Sequence, residues 1–368
     1  MSLFVTAAAG TEVALRDELR ELGLRKVRAD RGGVRLDGER DEARTVCLGT
    51  RIGVRALLEI GRFPCPSEDA LYEGIAAIEW ERWLRPALTL GVSAVAKDSA
   101  LRHTNYIAQR TKDAIVDRQR AKEGSRSSVD RHDPDVGIFV HLKRDEAAIF
   151  LDASGGSLHA RGWRARAGVA PLKETLAAAL LRLSGWDRAS PLIDPMCGSG
   201  TIPIEADLWA RGVPPQFPSR RFGFERWADY DESAAQRTAE QRAWRAEAAR
   251  DEGPWCLGYD RDESMVELAR SNGQRARSSA TFGLRAIEDF VPTDQPALVI
   301  ANPPYGERLE ADRATWRALG RAVQRMEGQR VALLLPEEAP NVMERPPMAV
   351  HRVFNGRLPC RFAIWAPE

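Results

Sequence analysis

The chain is poor in several things, and each shortage closes a class of explanation. Its five cysteines are Cys47, Cys65, Cys197, Cys256 and Cys360, an odd number with no Cys-x-x-Cys pair. That argues against a disulfide framework and against a structural zinc site, so no metal is expected, and a reducing compartment fits. No apolar run approaches the ~18 residues that cross a bilayer, so no membrane partner is expected. The opening from Met1 to Leu22 has no basic stretch ahead of an apolar one and turns acidic at Glu12. It does not read as a secretion signal, and the cytoplasm is the expected location. Net charge is scarce too: 54 basic residues face 53 acidic ones, for a formal +1. A polyanion would have to be held by local patches. Lysine itself is rare, at six residues against 48 arginines. Guanidinium groups suit phosphates and base faces, although a G+C-rich genome leaves the same excess.

What is present is an ordinary globular composition. The 368 residues are 43% hydrophobic, enough for two or three domains with real cores. The opening reads as a strand (Leu3 to Thr6), a helix (Gly10 to Leu22), a strand after Gly32-Gly33, a second helix (Asp41 to Leu48) and a strand (Arg55 to Gly61). Such alternation predicts a small α+β layer. A second unit follows, with a helix over Ala70 to Ile78, a strand over Thr89 to Ala96 and a helix over Asn105 to Arg120. Gly137 to Leu142 and Ala147 to Leu151 then pair around Arg144-Asp145. Arg102 to Arg131 is rich in basic residues; it is either a phosphate-gripping helix or a solvated face. Leu158 to Lys173 is basic without an acid. Arg161, Trp163, Arg164, Arg166 and Lys173 combine cations, an aromatic ring and flexible glycines, which predicts a linker that touches RNA. The remainder carries continuous apolar runs at Pro191-Leu192-Ile193, Leu257-Gly258-Tyr259, Ala297 to Ala301 and Val331 to Leu335. Runs of that kind are buried parallel strands. Arg211 to Glu252, rich in proline and charge, reads as a lengthened first crossover.

Two motifs carry chemistry. Asp194-Pro195-Met196-Cys197-Gly198-Ser199-Gly200-Thr201 follows the first parallel strand and opens a helix. Strand, glycine loop and helix form a nucleotide-type site at a strand's carboxyl end. There is no G-x-G-x-x-G and no G-K-[ST], so phosphate binding is not indicated. An Asp at the strand end suits a ligand with an ammonium group, such as the methionine part of S-adenosylmethionine. Cys197 reads as a small packing residue. Asn302-Pro303-Pro304-Tyr305 follows a later strand. Prolines fix the backbone and leave their carbonyls as acceptors. Asn302 adds another acceptor and Tyr305 a stacking face, a set that can hold a planar base by its exocyclic amine. Asp260, at the end of the strand between, can take both hydroxyls of a ribose.

In these residues the chain resembles the THUMP-domain class I methyltransferases, in particular the N-terminal half of the bacterial enzyme that makes N2-methylguanosine in 23S ribosomal RNA. Outside the two motifs the resemblance runs through Lys112 to Asp117, Val129-Asp130-Arg131, Ser157-Leu158-His159, Arg161-Gly162, Pro171 to Ala179, Ser184-Gly185-Trp186 and Gly306 to Leu309. It covers nearly the whole chain. It implies an α/β fold: a Rossmann-like class I methyltransferase domain (191–368) behind a ferredoxin-like domain (1–62), an RNA-binding THUMP domain (63–155) and a basic linker with a connecting helix (156–190). It implies that Asp194, Gly198, Gly200 and Asp260 contact S-adenosylmethionine and that Asn302, Pro303 and Tyr305 hold a flipped guanine. The family's Asp beside the adenine is replaced here: alignment on Phe282 puts Ala286 there, with Glu288 and Asp289 following as substitutes. The related enzyme continues into a second methyltransferase domain, and the stop at Glu368 implies that a second activity is absent or separate.

The expected activity is therefore N2-methylation of a guanosine in RNA, 23S ribosomal RNA first, by a monomer in the default case. Transfer RNA is the alternative substrate. N6-adenine and protein-glutamine transfer share the Asn-Pro-Pro-Tyr chemistry, and a non-catalytic RNA-binding or assembly factor rests on Ala286 alone.

Overall fold

The computed structural model describes residues 1–164, 172–291, 293–304, 313–326 and 328–367. The chain divides into two compact units. The first comprises 1–6, 16–158 and 218–243, the second 7–15, 159–217 and 244–368.

In chain order, the elements that build the first unit are β1 (Ser2–Thr6), α1 (Glu12–Glu21), β2 (Arg28–Asp30), β3 (Gly33–Asp37), α2 (Arg40–Gly49), β4 (Arg55–Pro64), α3 (Glu68–Ala77), β5 (Leu90–Lys97), α4 (Thr104–Glu123), β6 (Val136–Lys143) and β7 (Glu146–Asp152). Only part of α1 lies in this unit. All seven strands join one sheet in the order β2-β3-β1-β4-β7-β6-β5. β4 is long enough to pair β1 with one part of its length and β7 with most of it, so the two α+β units read from the sequence share a sheet. Period-2 patterning sets its faces. In β6, Val136, Ile138, Val140 and Leu142 are buried, while Gly137, Phe139 and His141 are half-buried. The β6–β7 turn is Arg144-Asp145, with φ of 52° and 56°; two positive φ values match the right-handed twist of a hairpin. Ser67 caps α3, its side chain accepting from the Ala70 N–H.

The remaining elements are α5 (Glu174–Leu183), β8 (Leu192–Asp194), α6 (Thr201–Ala210), α7 (Glu232–Glu247), β9 (Cys256–Asp260), α8 (Glu263–Ala276), β10 (Thr281–Leu284), β11 (Leu298–Ala301), α9 (Arg313–Gln324), β12 (Arg330–Pro336), β13 (Ala349–Asn355) and β14 (Leu358–Trp365). Their seven strands form a second sheet in the order β10-β9-β8-β11-β12-β14-β13. β8 to β12 pair in parallel, and β14 runs antiparallel to both neighbours. This is a doubly wound α/β sheet with a closing hairpin. Buried residues including Leu192, Leu298, Ile300, Ala332 and Leu334 pack with α5 and α6. Ile193, Val299, Val331 and Leu333 pack with α9. A sheet buried on both faces needs such continuous apolar strands.

Residues 211–252 are not simply a lengthened crossover. Residues 218–243 belong to the first compact unit. Arg40 donates to the Asp229 carboxylate at 2.5 Å, and Arg44 Nε donates to Gln241 Oε1 at 3.0 Å. Backbone bonds run from Phe224 N–H to Ala153 O and from Ala228 N–H to Trp83 O. Among the described residues, no helix is long and apolar enough to cross a membrane.

Candidate functional site

The order of the second sheet reverses at β8. The chain steps outward through β9 and β10, then returns to the other side of β8 as β11. A crevice opens at such a switch point, outside the carboxyl ends of the strands. Asp194 is level with Gly258, and Ile193 with Val299. The ends of β8, β9 and β11 therefore bring together three segments far apart in the sequence.

The loop after β8 is tied to β9 by its backbone. Cys197 N–H donates to Tyr259 O at 2.8 Å, and Gly198 N–H to Asp260 Oδ2 at 2.9 Å. Asp262 N–H donates to the other Asp260 oxygen at 3.0 Å. The carboxylate plane is thus fixed, and each oxygen keeps a free lone pair. Asn272 of α8 donates to Ser199 O at 3.0 Å, a contact the sequence did not signal. Gly200 precedes α6 with φ 83°, and a Cβ there would lie 2.8 Å from the Phe282 ring. Only glycine fits. At Gly198, by contrast, a Cβ would meet nothing within 4 Å. That side of the loop is open to a ligand.

Asp194 is buried at 2% exposure. Burial pushes its carboxyl up to about 8, against the single N–H of Met196 that it accepts at 3.1 Å, and the Asp260 charge adds to the rise. Two acidic groups here, one stripped of water, form a site that a cation would complete. Cys197 has no nucleophilic role. Burial and the Asp194 and Asp260 charges push its thiol far up, and it packs among Ile204, Val266 and Phe282. Pro195 and Thr201 are buried, and Met196 packs against the core under β11 and β12.

Across the switch point, Ala301 ends β11 and Asn302 follows. Asn302 Oδ1 is buried and has no hydrogen-bond partner among the described residues. A buried acceptor left unpaired costs about 1–3 kcal/mol. Pro303 is buried beside it and Pro304 half-buried. Tyr305 lies outside the described residues. Beyond β10, Glu288 and Asp289 sit exposed on a short 3-10 turn (Ile287–Asp289). Arg285 N–H ties the start of that segment to Asp260 O at 2.9 Å.

The linker residues are placed differently from the sequence reading. Arg161 is 1% exposed, its guanidinium paired with Glu205 of α6 at 3.2 Å. Trp163 is 2% exposed and belongs to the core cluster of Cys197 and Ile204. Arg164 donates to Glu174 Oε1, Ser199 Oγ and Thr201 Oγ1, each at 3.0 Å. These three side chains brace the glycine loop from within the domain and are not an RNA-facing surface. Each finds a buried partner on a helix of the domain, and charge patterning along the chain does not show such partners. Burial raises the Glu174 carboxyl, and the Arg164 charge opposes that rise. Lys173 is exposed just before α5, and Arg166 lies outside the described residues. Breaking a buried ion pair strands the partner's charge, so Arg161→Gln is expected to cost about 3–5 kcal/mol of stability. Urea unfolding would show it as a lowered midpoint; an unchanged midpoint would deny Arg161 its structural role.

Comparison with known proteins fits this geometry. Residues 161–364 match the family model described as RMKL-like, methyltransferase domain. Residues 65–152 match the THUMP domain, and residues 2–57 the RlmL ferredoxin-like domain. The ribosomal RNA large subunit methyltransferase K/L of Methylococcus capsulatus is 40% identical over 99% of this chain and 51% of its own. The protein of the same description from Syntrophotalea carbinolica is 37% identical over 98% of this chain and 53% of its own. The chain spans about half the length of these curated relatives. Among solved structures, SMU.472, described as a methyltransferase complexed with SAH, superposes with a TM-score of 0.88. It shares 30% identity, with 100% of this chain and 98% of that one covered. The glycine loop, the Asp260 strand end and the Asn-Pro-Pro segment lie on a class I methyltransferase sheet, and the chain belongs to the RMKL-like methyltransferase-domain family.

Proposed function

We propose that the chain transfers a methyl group from S-adenosylmethionine to the exocyclic amine, N2, of a guanosine in large-subunit ribosomal RNA, in the cytoplasm. The single observation that carries this reading is the buried Asn302 Oδ1, without a hydrogen-bond partner among the described residues, directly after β11, the strand that pairs with β8 and so adjoins the acidic loop of Asp194. The residues present fit the cofactor. Asp194 answers its ammonium group, the free lone pairs of Asp260 its ribose hydroxyls, and the open side of Gly198 lets it lie against backbone. Glu288 and Asp289 stand nearest in sequence to the place where an adenine partner is expected.

S-adenosylmethionine, when bound, supplies an electrophilic methyl on a sulfonium sulfur. The chain's part is positioning. Asn302 Oδ1 and the Pro303 carbonyl accept the amine's hydrogens, which turns the nitrogen lone pair out of conjugation and toward the methyl. The rigid prolines hold that geometry. Tyr305 supplies the stacking face for the flipped base. No strong base is needed, because the nitrogen's proton leaves after the bond to carbon has formed, when the amine is cationic.

Nucleoside mass spectrometry of ribosomal and transfer RNA fractions, from cells with and without the gene, tests the reading. Loss of N2-methylguanosine from large-subunit RNA alone is the expected result. Loss from transfer RNA alone would keep the chemistry and overturn the substrate.

A further inference from the structure

The loop between β8 and α6 is held residue by residue, and one side chain from a distant segment holds two of its positions. Gly198 and Gly200 sit at φ 51° and 83°. A loop with two glycines in that region gives up much freedom when it orders. Its backbone is secured by β9 and α8: Cys197 N–H donates to Tyr259 O, Gly198 N–H to Asp260 Oδ2, and Asn272 Nδ2 to Ser199 O. The two side chains that flank Gly200 are secured by Arg164. Its Nη1 donates to Ser199 Oγ and its Nη2 to Thr201 Oγ1, each at 3.0 Å, across 35 and 37 residues of sequence. The same guanidinium donates through Nε to Glu174 Oε1 at 3.0 Å and through Nη2 to Leu172 O at 3.2 Å. Four of its five N–H hydrogens are thereby engaged. Glu174, the counter-charge, is 3% exposed and opens α5. The guanidinium also lies 5.1 Å from the centre of the Trp163 ring, which is buried in the cluster of Cys197. Arg275 of α8 donates to Trp163 O at 3.0 Å, so the backbone beside Arg164 is anchored too.

Taking S-adenosylmethionine as the ligand of this loop, as proposed above, we infer that Arg164 is a positioning residue for methyl transfer: it fixes the cofactor loop through Ser199 and Thr201, and so makes cofactor affinity depend on the segment by which the chain enters the second unit. That segment begins at His159, and Arg161 fastens it to Glu205 of α6. The planar guanidinium fork is what the task requires. It reaches two hydroxyls, one on each side of Gly200, together with a carboxylate and a carbonyl, all at fixed angles. A lysine carries the same charge on one nitrogen and cannot span them. With its donors engaged in this way, Arg164 acts through the loop and not on the methyl group or the base. A loop ordered in advance does not have to be ordered by the ligand, so loss of the fork is felt as weaker cofactor binding. Asn302 follows β11, and none of these bonds uses it. The transfer step itself is therefore spared.

The test is isothermal titration of the full chain with S-adenosylmethionine, alongside steady-state methyl transfer to large-subunit RNA. Arg164→Lys is expected to weaken cofactor binding about 10- to 100-fold, the range for hydrogen bonds to a charged group. The cofactor KM is expected to rise by the same factor, while kcat at saturating cofactor changes less than about threefold. A residue needed only for folding would lower kcat with the active fraction and leave KM unchanged. Ser199→Ala with Thr201→Val removes the two hydroxyls and leaves the pair of Arg164 with Glu174 in place, so it decides the matter if Arg164→Lys unfolds. It is expected to lose as much affinity as Arg164→Lys does. All three changes together are expected to lose little more, because the three side chains act as a unit. Parent affinity in either variant, or losses that add in the combination, would overturn the inference. Cofactor binding by the parent that the variants leave unchanged sinks only the role of Arg164. A parent chain that takes up no cofactor sinks the methyl-transfer reading, and this inference with it.

Discussion

Asn302→Ala is expected to lower the turnover of methyl transfer about 10²- to 10³-fold while cofactor affinity changes less than about twofold. The magnitude is that of one pre-aimed hydrogen-bonding group lost from a transition state. The split between the two readouts follows from placement. Asn302 follows β11, and its side-chain oxygen is buried with no partner among the described residues. The bonds from Gly198 to Asp260 and from Met196 to Asp194, in the loop proposed to hold the cofactor, lie at the ends of β8 and β9 and do not use it. Removing the amide also removes an unpaired buried acceptor, so the variant is expected to be no less stable than the parent. Single-turnover rates and cofactor titration measure the two effects separately. A loss of cofactor affinity as large as the loss of rate would make Asn302 part of the cofactor pocket and not a holder of the base.

Asp194→Asn is the second large effect, and it has two opposite signs. Cofactor affinity is expected to fall at least about 30-fold, the low end for truncating a buried charge pair. Stability without cofactor is expected to rise at alkaline pH. Unfolded, an Asp titrates near 3.9; in the folded chain burial and Asp260 push Asp194 up to about 8. Between those values the folded state holds a proton that the unfolded state releases. Asp194's own contribution to the parent's stability is therefore highest below about pH 4, falls as pH rises through that window, and levels off above about pH 8. Four units correspond to roughly 5 kcal/mol, as an order of magnitude. Asparagine cannot ionise and can still accept the Met196 N–H. Urea unfolding at pH 5 and pH 9 is expected to show the variant gaining on the parent at the higher pH. An equal decline in both proteins would remove Asp194 as the source. The parent tolerates the cost because the same carboxylate, once ionised, is what a bound cation requires.

Much of this site was legible in the sequence because it is local. Asp194 to Thr201 and Asn302 to Pro304 each combine a strand end with the residues proposed to do chemistry, and the apolar runs at 192–193, 257–259, 297–301 and 331–335 are the signature of strands buried on both faces. What was misread is non-local. Arg161, Trp163 and Arg164 look like an RNA-touching strip, with cations, a ring and glycines in sequence. Their partners Glu205 and Glu174 come from helices 44 and 10 residues away and turn them inward. The segment after Arg211 reads as one long crossover; its affiliation with the first unit rests on pairs such as Arg40 with Asp229, 189 residues apart. The β13–β14 hairpin was overlooked although its turn carries a signal. Gly356 follows Asn355 at φ 64° and starts a two-residue turn, a position where hairpins favour glycine.

The central claim is transfer to the exocyclic nitrogen of guanine. Its most direct test is incubation of the purified chain with methyl-labelled S-adenosylmethionine and large-subunit RNA from cells lacking the gene, followed by digestion to nucleosides and mass spectrometry. The account predicts label in N2-methylguanosine, abolished by Asn302→Ala. Label recovered in 7-methylguanosine or N6-methyladenosine instead would contradict it.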